Sequence, residues 1–123
     1  MRPGPRTRHE PGVMNKQEAE YAARLDTLKA AGQILDWRFE ALTLTLTRIN
    51  RGVRLTPDFL VIYPDHFELH EVKGHWEEDA RRVMKVAAEM FPWFDFRAFR
   101  KRAKKDGGGW EEEAFALNSK EAA

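Results

Sequence analysis

Hydrophobic and polar positions change period twice along this chain. In NKQEAEYAARLDTLKAAG, Ala22, Leu25 and Leu28 recur at three-residue steps and, with Tyr21, make an apolar stripe. That spacing predicts a first helix. Asn15 is placed to cap it, with Glu18 three residues on in capping-box spacing. Gly32 is a natural stop. From Gln33 to Gly74 the period drops to two, and Ile, Val, Thr, Phe and Trp become frequent. Four strands are expected, at about 34–40, 43–49, 53–62 and 67–73. Asn50-Arg51-Gly52 and Tyr63-Pro64-Asp65-His66 supply turns between them. Phe59, Leu60, Val61 and Ile62 are apolar on both parities, as in a central strand covered on both faces.

Past Gly74 the helical period returns, over about residues 76–91. Glu77, Glu78 and Asp79 load the first turn of this second helix, where the helix dipole favours negative charge. Ala80, Val83, Met84, Ala87 and Phe91 form its apolar stripe, and Pro92 ends it. Phe94 to Phe99 alternates as a last core strand. Its return after a crossover helix implies parallel pairing. KRAKKDGGG reads as a loop. Trp110 to Leu117 fits either a short helix or an edge strand. The pattern predicts an α/β fold: a mixed sheet of about five strands flanked by helices. A disordered basic arm is expected over residues 1–13, one domain over 14–118 and a flexible end over 119–123.

Composition narrows the classes. With 123 residues the chain suits one domain with one modest core. The absence of cysteine excludes a disulfide framework and a thiolate zinc site. No apolar run approaches the length of a membrane span, so no membrane partner is expected. MRPGPRTRHEPG lacks the apolar segment of a secretory signal, and a cytoplasmic location is expected. Net charge is only +1, but Arg2, Arg6 and Arg8 cluster in the arm, and Lys101, Arg102, Lys104 and Lys105 cluster late. With Arg81, Arg82 and Lys85 on the second helix, the late cluster is the expected set of DNA-backbone contacts, which position DNA without reading sequence. A solvated surface is the commoner fate of charge runs.

The candidate chemistry lies in TPDFLVIYPDHFELHEVKG, Thr56 to Gly74. Counting by twos from Phe67 puts Phe67, Leu69, Glu71 and Lys73 on one face and Glu68, His70 and Val72 on the other. The apolar face runs into a carboxylate and an ammonium. If the two strands turn about Pro64-Asp65, Asp58 and Glu71 are equally far from the turn and lie opposite one another. Side-by-side carboxylates repel, and a cation between them relieves the repulsion. Oxygen donors of this kind suit Mg²⁺ or Mn²⁺. Lys73, two residues beyond Glu71, can orient a water or stabilise charge on a phosphate. Together these are parts for phosphodiester hydrolysis. The bland reading is a surface Glu–Lys pair beside an ordinary turn Asp.

PDF followed by EVKG resembles the PD-(D/E)XK nuclease superfamily. More narrowly, residues from about Asn15 to Phe99 resemble bacteriophage endonuclease I, a Holliday-junction resolvase, and related phage and prophage proteins. NKQEAEYAARL, WRFE, TPDF, HEVKG and WEEDARRVMKVAAEMFP carry the similarity, and TPDF and EVKG are its specific part. The resemblance implies a restriction-endonuclease-like sheet and metal-dependent DNA cleavage, selective for branched DNA where the subunits pair. It implies Asp58 and Glu71 as metal ligands, the Val72 carbonyl as a further ligand and Lys73 as the catalytic lysine. It also implies that Glu18 faces the metals and that Glu40 in WRFE is a further acidic position. The family forms an intertwined homodimer, and no residue signal here fixes such an exchange. LTLTLTRINRGV fits a hairpin that folds back locally or pairs with a second copy.

Rival readings are a non-catalytic DNA-binding or phage assembly protein on the same fold, and a nuclease acting on RNA or on linear ends. His66, His70 and His75 lack the i, i+4 spacing of a helical zinc pair. Gly107-Gly108-Gly109 lacks the Lys-Ser/Thr that completes a phosphate-cradling loop. Trp76, Trp93 and Trp110 are candidates for base stacking, with packing the expected role for each.

Overall fold

The computed structural model describes residues 10–75 and 77–116. Its elements are α1 (Lys16–Ala30), β1 (Asp36–Phe39), β2 (Leu44–Thr47), β3 (Val53–Leu55), β4 (Phe59–Ile62), β5 (Phe67–Val72), α2 (Glu78–Met90), β6 (Asp95–Lys101) and β7 (Trp110–Phe115). A short 3-10 turn at Lys104–Asp106 joins the last two strands. Trp76, Leu117 and the stretches 1–9 and 118–123 lie outside the described residues, so most of the expected arm and the whole C-terminal end fall there. Glu10 to Val13, read as part of the arm, form a turn closed by the Val13 N–H donating to the Glu10 carbonyl.

α1 has both ends that its sequence calls for. The Glu18 N–H donates to Asn15 Oδ1 and the Asn15 N–H to Glu18 Oε1, each at 2.8 Å, which is a complete capping box. At the other end Gly32 takes a positive φ, which a glycine adopts without strain. The Gly32 and Gln33 N–H groups bond back to the Lys29 and Leu28 carbonyls, as in a Schellman motif.

Five strands form one mixed sheet in the order β1-β4-β5-β6-β7. β5 and β6 run parallel across the α2 crossover; the other pairs are antiparallel. Tyr21, Ala22 and Leu25 of α1 bury one face against Phe59, Val61, Val72 and Phe99. Met84 and Ala87 of α2, with Leu44, bury the other against Leu69, Phe96, Ala98 and Phe115. No helix among the described residues is long and apolar enough to cross a membrane.

The structure corrects four expectations. The strand expected over 53–62 is two. Pro57 has no N–H to give a ladder, and the chain breaks at Thr56-Pro57-Asp58. β3 closes a separate hairpin with β2, while β4 enters the main sheet. The fifth strand of the sheet is therefore not residues 43–49 but Trp110–Phe115, which settles the open choice there as an edge strand. Next, β5 has no wet face. Glu68 and His70 are buried beneath α1, and Phe67 at the strand's start is exposed. Lastly, Trp93 is 76 % exposed and packs in neither core cluster, whereas Trp110 stands edge-on to Tyr21 at 5.1 Å between ring centres.

Candidate active site

The β4–β5 register pairs Phe59 with His70 and Ile62 with Phe67. Continued one step past Phe59, it sets Asp58 against Glu71, as the turn count requires. Asp58 stands just before β4 because Pro57 ends the preceding segment. The two acids are tied by crossed hydrogen bonds. The Asp58 N–H donates to Glu71 Oε1 at 2.8 Å, and the Val72 N–H donates to Asp58 Oδ2 at 2.7 Å. Each carboxylate is thus held by the other's strand. Lys73 Nζ lies 3.4 Å from Glu71 Oε2. The Lys73 N–H donates to the Phe99 carbonyl, which anchors the lysine's backbone on β6.

Glu18 enters from α1. It is 5 % exposed and lines the same cleft as Asp58, Glu71 and Lys73, a space of about 840 Å³. Its two candidate roles coexist: Oε1 serves the capping box, which points the carboxylate group at the cleft. Asp58 Oδ1 and Glu18 Oε2 have no hydrogen-bond donor among the described residues. Among the described residues no buried side-chain oxygen lacks a partner, so neither atom is fully buried.

The electrostatics are those of an under-neutralised site. Burial, then the charges of Glu71 and Glu18, push the Asp58 carboxyl up to about 8, against the Val72 N–H and Lys73. Burial also raises Glu71, against Lys73 and the Asp58 N–H. Two mostly buried acids share one half-exposed ammonium, so full ionisation is unfavourable without a further positive charge. The donor set is hard oxygen with no sulfur or imidazole beside it, which fits Mg²⁺ or Mn²⁺ better than zinc.

Glu40 lies on the cleft wall. Its N–H donates to the Asp58 carbonyl, and its Oε1 accepts from Gly12 at 2.7 Å. Gln17 lines the cleft as well, and its Oε1 sits 2.9 Å from where a Cβ on Gly74 would be. Only a glycine fits against this amide without moving it.

The expected DNA contacts are not gathered at the site. Arg81 pairs with Glu113, Arg82 with Asp79, Lys101 with Glu20 and Arg102 with Glu111. Lys85, Lys104 and Lys105 are exposed. Sequence reasoning passed over Arg54, Thr43 and Thr56, which line the cleft. Alternation in the β2–β3 hairpin was the available signal, since it places them opposite the buried Leu44 and the partly buried Leu55.

A second ionisable cluster lies under α1. His70, 1 % exposed, bonds Glu68 Oε1 through Nε2 at 2.8 Å and the Tyr21 hydroxyl through Nδ1 at 2.7 Å. Arg24 donates to that hydroxyl. The ionised Glu68 carboxylate only accepts, so Nε2 carries the proton to it, and in the neutral ring Nδ1 then accepts from the Tyr21 hydroxyl. Burial, against the pull of Glu68, lowers the His70 pKa and keeps the ring neutral. His66, Glu68 and Asp95 come close enough together to hold an ion. That place is already served by the Arg97 guanidinium, 3.3 Å from Glu68 and 2.8 Å from Asp95. His75 is exposed and joins neither group.

No family model, curated protein or solved structure matches this chain.

Proposed function

We propose that the protein is a divalent-metal-dependent endonuclease that hydrolyses phosphodiester bonds in DNA, branched DNA being the substrate class to which the endonuclease I resemblance points. The observation that carries this is the locked pair of Asp58 and Glu71, mostly buried at the end of a central strand, with Lys73 as the cation at hand. A binding module has no use for buried carboxylates facing phosphate, because they repel it.

In this reading Asp58, Glu71 and the Val72 carbonyl hold Mg²⁺, with Glu18 supporting a second ion. The bound ion supplies Lewis acidity toward the phosphodiester and the charge that lets both acids ionise. The crossed hydrogen bonds keep the carboxylates oriented before any ligand arrives, so little reorganisation is needed. Lys73 orients the attacking water and offsets charge developing on the phosphate. The resemblance of TPDF and HEVKG to PD-(D/E)XK nucleases assigns the same roles to the same residues.

The test is cleavage of a labelled panel: four-way junction, duplex, single-stranded DNA and RNA, each with Mg²⁺, Mn²⁺ or chelator. Metal-dependent cutting of DNA, greatest on the junction, is expected. Tight metal-independent binding with no cutting would hand the site to the non-catalytic reading.

A further inference from the structure

The β2–β3 hairpin leaves the main sheet between β1 and β4, at the edge where the carboxylates stand. Its inner residues Leu44, Leu46 and Leu55 pack on the α2 side of the core. Its outer face has a different composition. Thr45 stands opposite Arg54 in the register, and the Thr43 and Thr56 hydroxyls share a hydrogen bond at 2.7 Å. Thr43, Arg54 and Thr56 open onto the same cleft as Asp58, Glu71 and Lys73. Beyond them the exposed tip carries Arg48 and Arg51.

The tip is built to one shape. Asn50 and Gly52 both take positive φ, and a Cβ on Gly52 would lie 2.5 Å from the Thr47 carbonyl oxygen. At about 3.3 Å per residue, four residues from Thr43 to Thr47 carry the tip roughly 13 Å from the cleft. That length matches about four base steps of duplex.

Salt-bridge pairing sets the arginines of this hairpin apart from most other guanidinium groups, while Lys85, Lys104 and Lys105 likewise stand without a carboxylate partner among the described residues. Among the described residues no carboxylate pairs with Arg48, Arg51 or Arg54, whereas Arg81, Arg82, Arg97, Arg100, Lys101 and Arg102 are all paired. The chain has 20 acidic residues against 21 Lys and Arg, so acids are not scarce. Unpaired guanidinium groups beside hydroxyls, on a stiff arm running from a cleft, are the chemistry of phosphate-backbone binding.

We propose that the β2–β3 hairpin is the arm that grips the phosphate backbone of duplex DNA next to the cleavage site, through Arg48, Arg51 and Arg54. This rests on the nuclease reading and shifts the main contact away from the charge-paired face of α2 and β7. Contacts of these guanidinium and hydroxyl groups to phosphate position the duplex without reading its sequence.

The experiment is binding of a fluorescent duplex and a four-way junction in Ca²⁺, read by anisotropy between roughly 50 and 200 mM salt. The wild-type chain is compared with R48A/R51A/R54A, R48K/R51K/R54K and K101A/R102A. The alanine triple is expected to bind at least about tenfold more weakly at low salt. The slope of log affinity against log salt should fall by about 2 to 3, one counterion release per lost contact. The lysine triple should keep most of the slope, and the Lys101/Arg102 variant should keep nearly all of it. Melting curves on each variant verify folding, and the single variants R48A, R51A and R54A, each expected to lower the slope by about 1, carry the test if the alanine triple fails to fold. Wild-type affinity and slope in a folded alanine triple, or a slope lost on Lys101/Arg102 replacement instead, overturns the hairpin while leaving the nuclease reading intact. A wild-type protein that binds neither DNA overturns both.

Discussion

Asp58 illustrates how much a single position carries. Its carboxyl is pushed up to about 8, first by burial and then by Glu71 and Glu18. A carboxyl whose pKa rises on folding holds its proton more tightly in the native state. Its contribution to stability therefore falls as pH climbs from roughly 4, its unfolded value, toward that native value. Metal-free protein should lose stability over this window, and Asp58→Asn should lose less. The variant should be more stable than wild type by about 1–3 kcal/mol near pH 8, as urea melts in chelator would show. Added Mg²⁺ should raise the wild-type melting temperature and leave that of Asp58→Asn unchanged. Glu68 has the opposite sign. Burial works to raise its pKa, but hydrogen bonds from His70 and His66 hold it at about 2, so its contribution is lost only in strong acid. Tyr21→Phe takes the proton from His70 Nδ1 and leaves a buried acceptor unpaired. It should cost about 1–3 kcal/mol in chemical denaturation and leave cleavage largely intact.

At the scale of elements, local pairings were legible and long-range cover was not. The β4–β5 hairpin could be counted outward from Pro64-Asp65, which brought Asp58 to Glu71 from sequence alone. The α1 capping box was equally readable, since both partners lie within one turn. Burial of Glu68 and His70 was not, because the cover comes from Tyr21, some fifty positions earlier. Nor was the separate β2–β3 hairpin, because strand-like alternation does not say which sheet a strand joins. WEEEAF fits helix or strand by pattern, and its pairing with β6 decided the matter. The same elements give two sharp expectations. Gly52→Ala forces a Cβ against the Thr47 carbonyl at positive φ. It should destabilise by about 1–3 kcal/mol and weaken DNA binding. Asn15→Ala removes the α1 cap, costing about 1 kcal/mol. It should also free Glu18, so that activity falls more than the thermal melt alone explains.

Across the whole molecule, two thin cores sandwich one sheet, and the groups of the candidate site gather at one end of its central strands. α1 brings Glu18, the β4–β5 hairpin brings Asp58, Glu71 and Lys73, and the β2–β3 hairpin brings Arg54. Three separate segments of sequence thus converge on one cleft. The most direct test of the nuclease assignment is single-turnover cleavage of a labelled four-way junction in Mg²⁺ by wild-type protein and Lys73→Ala, with junction affinity measured on the same samples. Loss of about 100-fold or more in rate with affinity nearly unchanged is the predicted result. A Lys73→Ala protein that cuts at the wild-type rate would contradict the assignment.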